Sequence, residues 1–404
     1  MTTRGSPGHV LPLAPFGQAC VRAGHQVTVA AQRLHRANVE RTGLNFSPTD
    51  DLPDDEWMPR LGEFAQLGID AASELMIREF FAGIDVRAAL PGLRGIVDSW
   101  HPDVVVRESW EFASTLVAEL HGIPVVRVGL GLAAVEELST RLASGALEEA
   151  RANLGLVVDR TGERLRNTPY FTMMPEALED PASPPPPLTH RFHPGGGSAV
   201  ESMLPDWWPG NDDPLVYLTF GSVTAGAHLP YFPRLYRTAI DALAPLPVRI
   251  LVTVGDSSRS LDDFGPLPPN VHAEHWVAHD AVASQAAVIV CHGGYGSTLG
   301  ALAHGVPLVV VPLFSIDQWV NGDAVARAGA GIALDADRLT RRVFGLPDAD
   351  TLGELSGAAW HVLDDPAFRR AARRVADTMK GLPPVEAAVD ALTAISAQAA
   401  RDGA

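Results

Sequence analysis

Residues 288–321 read VIVCHGGYGSTLGALAHGVPLVVVPLFSIDQWVN, and they constrain the chain more than any other stretch. Val288–Cys291 is a short apolar run of the kind that forms a strand buried on both faces. His292-Gly293-Gly294-Tyr295-Gly296-Ser297-Thr298 follows at once, then a helical run to His304, Gly305 as C-cap, and a second apolar strand over 306–314. Strand, glycine turn, helix and strand make a βαβ unit of a parallel sheet. The turn lies at a helix N-terminus, where free backbone amides collect phosphate oxygens. Gly293, Gly294 and Gly296 let the backbone approach a ligand, Ser297 and Thr298 offer hydroxyls, and His292 offers a ring nitrogen. Asp317 and Gln318 stand just past the second strand, where loops of parallel sheets gather ligands. Phosphate donors, a carboxylate and an amide together suit a sugar joined to a diphosphate.

The same rhythm runs along the rest of the chain. Helix is expected over 11–23, strand over 26–30, an acidic loop over 50–59 and mostly helix over 60–100. Strand 103–106, helix 112–120, strand 124–128 and helix 142–153 follow. Residues 181–213 hold the run Pro184 to Pro187, three glycines at 195–197, and Pro205 and Pro209, a composition that reads as a connector without regular structure. Strands at 215–220, 249–254 and 288–291 then alternate with helices, and 360–400 is helical.

Residues 276–321 resemble the nucleotide-sugar signature of glycosyltransferase family 1, in its actinobacterial natural-product branch. At the other end, Gly5-Ser6-Pro7-Gly8-His9-Val10-Leu11-Pro12-Leu13 resembles the opening loop that carries that family's base. The resemblance implies an α/β chain of GT-B architecture, with two Rossmann-like, doubly wound parallel-sheet domains facing across a cleft. An acceptor domain is expected over 1–190, a linker over 191–213, a donor domain over 214–360, and a helical segment over 361–404 crossing back. The family has a first strand just before the opening loop. Here that strand is nearly absent, so the true start is expected upstream of Met1.

The implied reaction is inverting transfer of a sugar from a nucleotide sugar to a hydroxyl of an apolar natural product, without metal or cofactor. His9 is the expected base, since an imidazole suits proton removal near neutral pH. A carboxylate would fix its tautomer; Glu108 is nearest in register and Glu111 is the second choice. Ser6 would help position the acceptor, or simply serve the turn. Donor contacts are expected from Gly221, Ser222, Trp276 (stacking on the base), His292, Gly293, Gly294, Gly296, Ser297, Thr298, Asp317 and Gln318, with Asn321 behind them. Trp57, Met58, Phe64, Met76, Phe80, Phe81, Trp110 and Phe112 are candidates for the acceptor wall; individually most suit a core better, but their number in this region suits an apolar acceptor. Relatives that use uridine donors carry Glu where this chain has Gly300, which favours a thymidine diphosphate (dTDP) deoxysugar over a uridine diphosphate (UDP) sugar. A nucleotide-sugar epimerase of the same fold and a silent donor-binding accessory subunit are the rival readings.

Composition narrows the partners. A net charge of −17 and an isoelectric point near 5.2 argue against nucleic acid. No run approaches the roughly 18 to 20 apolar residues of a membrane span. Cys20 and Cys291 read as small core residues, which fits a reducing cytoplasm. A homodimer is allowed. Three motifs are decoys: Gly129-Leu130-Gly131 lacks the acidic residue of a dinucleotide site, and Asp335-Ala336-Asp337 and Asp348-Ala349-Asp350 stand in polar loops instead of at strand ends.

Overall fold

The computed structural model describes residues 1–193, 195, 204–226, 229–255, 257–334 and 338–402. Six strands belong to the first half: β1 (Thr28–Gln32), β2 (Asn45–Thr49), β3 (Val105–Glu108), β4 (Val125–Val128), β5 (Tyr170–Thr172) and β6 (Thr189–Arg191). Six more belong to the second: β7 (Leu215–Thr219), β8 (Arg249–Thr253), β9 (Val271–Glu274), β10 (Val288–Cys291), β11 (Leu308–Val310) and β12 (Gly331–Ala333). All of their pairings are parallel.

The second sheet runs β12-β11-β10-β7-β8-β9. Its central strands are Val-, Ile- and Leu-rich and buried along their whole length, because helices cover both faces. In the first half β1 pairs with β2, and β3-β4-β5-β6 run in order. Thr2 joins these two sets by bridging Ala30 of β1 and Arg107 of β3. Its amide donates to Val106 O at 2.8 Å, and its carbonyl accepts from Glu108 N at 3.1 Å. Met1 to Thr3 therefore stand where the nearly absent first strand belongs, and the chain leaves the sheet beside the carboxyl end of β3.

Several boundaries differ from the sequence reading. The strand expected at 26–30 forms two residues later, and that expected at 103–106 extends to Glu108. The acidic stretch expected as a loop enters the helix Asp54–Phe64, with Asp54, Asp55 and Glu56 in its first turn, where carboxylates favour the positive end of the helix dipole. The expected connector contains β6, and Gly196 and Gly197 lie outside the described residues. The apolar run at 306–314 is strand only over Leu308–Val310; beyond it Pro312 has no amide to continue the ladder, and its carbonyl accepts from Arg341 at 2.7 Å.

The two halves share packing at two places. One core joins Phe16, Phe171, Met173 and Met174 of the first half to Tyr295, Leu299 and Leu302 of the second, and the closing helix Ala388–Asp402 packs on Ala14–Arg22. A smaller cluster joins Phe64, Ile69 and Ala72 to Trp319 and Val343. There Val343 N donates to Leu67 O at 2.9 Å, and Phe64 meets Phe344 edge-on at 5.2 Å.

Candidate active site

The loop after Thr3 folds into the short helix Pro7–Val10. Ser6 starts it through its carbonyl, which accepts from His9 N at 2.9 Å and Val10 N at 3.0 Å. Gly5, at φ 96°, carries no β-carbon because His35 lies against it, and Asn38 holds its carbonyl at 2.9 Å. The result aims His9 at the end of β3. His9 Nδ1 and Glu108 Oε1 are 2.9 Å apart, with the Glu108 side chain fully buried. Burial works to raise the Glu108 carboxyl, but His9, the Trp110 amide and Arg4 outweigh it and hold it below the usual carboxylate range. A carboxylate bound to one ring nitrogen leaves the other, Nε2, to accept a proton.

Glu111, the second choice, does not face His9. It accepts from Ser114 N at 3.0 Å and from the Ser114 hydroxyl, and burial pushes its carboxyl up. Four residues separate the strand end from the helix Ala113–His121, and Glu111 spends its carboxylate on the Ser114 amide in that helix's first turn instead.

Around the pair stands an aromatic corner. Trp110 meets His9 at 5.7 Å and stacks on Phe81 at 5.0 Å, while the Arg4 guanidinium lies 4.2 Å from the Phe81 ring centre. Phe81 belongs to Met76–Ile84, a π-helical turn that widens one helix face. Arg4 is paired with Asp85, whose other oxygen accepts from Gln32 at 2.6 Å. Sequence reasoning missed Arg4, Gln32 and Asp85, since no local pattern marks a contact across eighty residues. Of the other wall candidates, Phe80 and Phe112 are core, and Phe64 belongs to the contact between the halves. Trp57 packs on that same core with its indole on Asp54, Met76 bridges the two clusters, and Met58 faces solvent.

Across from His9, the helix Tyr295–Ala303 starts directly after the glycine turn. Its first-turn amides have no carbonyl within the helix to bond. His292 lies between Gly221 and Gly294, and a β-carbon on Gly221 would stand 2.7 Å from its ring. Burial alone lowers His292 to about 4, so the ring is held neutral and carries no charge near pH 7. His292 Nδ1 and Thr298 Oγ1 are buried without a hydrogen-bond partner. The glycines divide differently from the sequence reading. Gly293, at φ 83°, is required by Gln318 O and Gly294 by the His292 ring, and Gly296 alone of the three is exposed with open space around it.

Asp317 is half-buried at the start of the helix Ile316–Arg327. Burial pushes its carboxyl up, against the Ser315 hydroxyl and the charge of His9, which reaches it from the other half. Gln318 is less free than expected, because its Oε1 already accepts from Leu313 N at 2.7 Å and Phe314 N at 3.1 Å. Asn321 donates to Gly293 O at 2.8 Å and so supports the turn from behind. Ser222 is exposed, Ser297 half-buried, and Trp276 is 73% exposed with a free face for stacking. The decoys are filled from within. Glu136 takes Leu130 N and Glu179 takes Ala133 N, which closes the false dinucleotide turn. Asp348 caps its own helix on Thr351 N at 2.7 Å, while 335–337 lie outside the described residues. Among the described residues no acidic, histidine or cysteine cluster could hold a metal, and no helix is long and apolar enough to cross a membrane.

Known proteins are similar to this chain in sequence and in fold. Residues 18–213 match the family described as erythromycin biosynthesis protein CIII-like, N-terminal domain, and 237–395 match its C-terminal domain. L-demethylnoviosyl transferase of Streptomyces niveus is 31% identical over 379 residues, covering 93% of this chain and 92% of that protein. The 4'-demethylrebeccamycin synthase of Lentzea aerocolonigenes is 30% identical over 431 residues, covering 96% and 97%. Among solved structures, the glycosyltransferase SnogD from Streptomyces nogalater superposes with a TM-score of 0.74 at 25% identity over 98% of both chains. The Streptomyces sp. SF2575 glycosyltransferase SsfS6, complexed with thymidine diphosphate, has the same fold at 0.73 and 24%, over 97% of this chain and 98% of its own. With its two parallel-sheet halves, the chain belongs to the erythromycin biosynthesis protein CIII-like glycosyltransferases of family 1, GT-B enzymes that transfer sugars to aglycones in natural-product biosynthesis.

Proposed function

We propose that this enzyme moves a deoxysugar from a dTDP donor to a hydroxyl of an apolar aglycone, with inversion and with His9 as general base. The observation that carries the reading is the His9–Glu108 pair, 2.9 Å apart, near enough to Asp317 of the donor half for the charge of His9 to act on its carboxyl. A base on one side and a sugar-binding carboxylate on the other leave room for one in-line displacement at the anomeric carbon. Glu108 holds the ring by Nδ1, and Nε2 takes the acceptor proton as the new bond forms. The departing diphosphate meets the amides of the Tyr295–Ala303 helix, His292 and Thr298, donors that need no metal to stabilise it. Trp276 offers the nucleobase a flat exposed face. Trp110, half-buried beside His9 with Phe81 as buried backing, suits a flat apolar acceptor. The dTDP preference draws on Gly300 and on neighbours of the same fold solved with that nucleotide, SsfS6 and VinC. Two free thiols, Cys20 and Cys291, support a cytoplasmic site of action.

The test is product formation from a panel of aglycones with dTDP- and UDP-sugars, the anomeric configuration of the product being read by NMR. A β-linked product from an α-linked donor is expected. Retention of configuration, or turnover with UDP-sugars alone, would reject the reading.

A further inference from the structure

Arg107 is buried completely in β3, in register with Arg127 of β4, which is itself only 2% exposed. Two guanidiniums side by side inside a sheet repel each other and lose their hydration, and apolar side chains in such places are commonly at least as stable. Burial, then the charge of Arg127, lowers Arg107 to about 10, while Glu111, Glu108 and Glu136 oppose the shift. A Met or Leu would pack well here, since the guanidinium lies 5.3 Å from the Phe112 ring centre.

What an apolar residue could not do is bind the backbone. Arg107 Nη1 donates to Glu108 O at 3.0 Å, Ser109 O at 2.9 Å and Glu111 O at 3.0 Å. Its Nε and Nη2 have no hydrogen-bond partner, so every bond the group makes goes to this one turn. Three carbonyls drawn to one nitrogen curl residues 108–111. The curl puts Trp110 N on Glu108 Oε2 at 2.6 Å and leaves Oε1 for His9. It also sets the Trp110 ring against His9.

We propose that Arg107 is the positioning residue of the His9–Glu108 pair, its guanidinium gathering the 108–111 turn so that the carboxylate is aimed at the imidazole. Without it three inward carbonyls lose the guanidinium, Glu108 O keeping only the longer bond from Glu111 N at 3.3 Å, the turn loosens, and the Trp110 amide leaves the carboxylate. This role rests on His9 and Glu108 acting as proposed above.

The experiment is a double-mutant cycle on the full chain, with Arg107→Met, Arg107→Lys and Glu108→Gln assayed alone and combined for kcat, donor KM and thymidine diphosphate affinity. Arg107→Met should lower kcat roughly tenfold or more with donor KM unchanged, and Arg107→Lys should lose less. Added to Glu108→Gln, either change should cost less than about twofold further, because both act on one carboxylate. Equal losses in both backgrounds, or losses that only follow the folded fraction, would overturn the assignment. Arg107→Lys keeps the charge, so it decides the question if the Met variant does not fold. His9→Ala runs alongside: full turnover in that variant would remove the base itself, whereas an inactive His9→Ala with additive Arg107 effects would remove only Arg107.

Discussion

The imidazole of His279 lies over Gly300 so closely that a β-carbon there would stand 2.7 Å from Cε1 and Nδ1 of the ring. His279 also meets Tyr217 edge-on at 5.8 Å, and its Nε2 is buried with no hydrogen-bond partner. Gly300, which the family resemblance aligns with a Glu common in uridine-using relatives, is also the floor beneath this chain's histidine. A carboxylate there would accept from two ribose hydroxyls, and deoxyribose would leave it half paired, at a cost of about 1 to 3 kcal/mol. Wild-type protein should therefore bind thymidine diphosphate more tightly than uridine diphosphate. Gly300→Glu alone should weaken both, since His279 must move, and Gly300→Glu with His279→Gln should turn preference toward uridine. Calorimetric titration of the three proteins with both nucleotides is the check, and tighter uridine diphosphate binding by wild type would sink the idea.

His9→Ala should cut turnover by roughly 10²-fold or more with donor affinity little changed, because loss of a general base falls on the transition state. Glu108→Gln should fall in the same direction, since it leaves the ring without its anionic partner, whereas Glu111→Gln should act on stability through Ser114 and leave kcat near normal. Steady-state kinetics beside thermal melts separate the two. A kcat loss for Glu111→Gln as large as that for Glu108→Gln would contradict the assignment of the pair.

Acid should destabilise the fold through two histidines. His35 and His292 are each lowered to about 4, the first by burial and then the charges of Arg4 and His9, the second by burial alone. In the unfolded chain both titrate near 6.5. Between 6.5 and 4 the unfolded state binds protons that the folded state refuses, so stability is fullest above 6.5 and falls as pH drops toward 4. His292→Gln should flatten that slope by on the order of 2 kcal/mol at its acid end. Urea unfolding at pH 7, 6, 5 and 4.5 reads it directly; parallel slopes for wild type and variant would show that His292 is not held neutral.

How much of this was legible in the sequence depended on how far the determining contacts reach. Val288–Cys291 and the helix after it were readable because a strand buried on both faces writes an unbroken apolar run, and β10 has the bounds expected. By contrast β2 reads Asn-Phe-Ser-Pro-Thr, an edge strand whose proline and polar residues look like a loop, and β12 is three residues long. His9 and Glu108 were readable as candidates, but their 2.9 Å contact depends on Thr2 bridging two strands. Nothing local separates Arg107 from a surface arginine, because its three carbonyl partners appear only when the turn closes on it. Phe64 and Phe80 are apolar residues that suit a core more readily than a pocket wall in sequence, and packing against Phe344 and against the Leu116 core shows where each goes.

Activity should survive excess chelator. The proposed diphosphate site would consist of helix amides and neutral side-chain donors, which stabilise a leaving group without a cation. Turnover lost in chelator and restored by manganese or magnesium would reject that site.

The last prediction separates two glycines of one turn. Gly294 has an ordinary strand-like backbone, φ −63° and ψ 151°, so alanine fits its dihedrals, yet its β-carbon would press into the His292 ring. The ring has little room to withdraw, because Gly221 also lies against it, so closely that a β-carbon there would stand 2.7 Å away. Gly294→Ala should therefore lower the melting temperature and weaken thymidine diphosphate binding together. Gly296 is exposed, with nothing within 4 Å of the place a β-carbon would take. Alanine there should leave the melting temperature unchanged or raise it slightly, since alanine favours helix over glycine by about 1 kcal/mol. If the diphosphate rests on the first turn of this helix, that methyl group meets it, and Gly296→Ala should lose affinity about tenfold without losing stability. Unchanged nucleotide affinity in Gly296→Ala would move the diphosphate away from the helix start and leave His292 and Thr298 as its nearest donors.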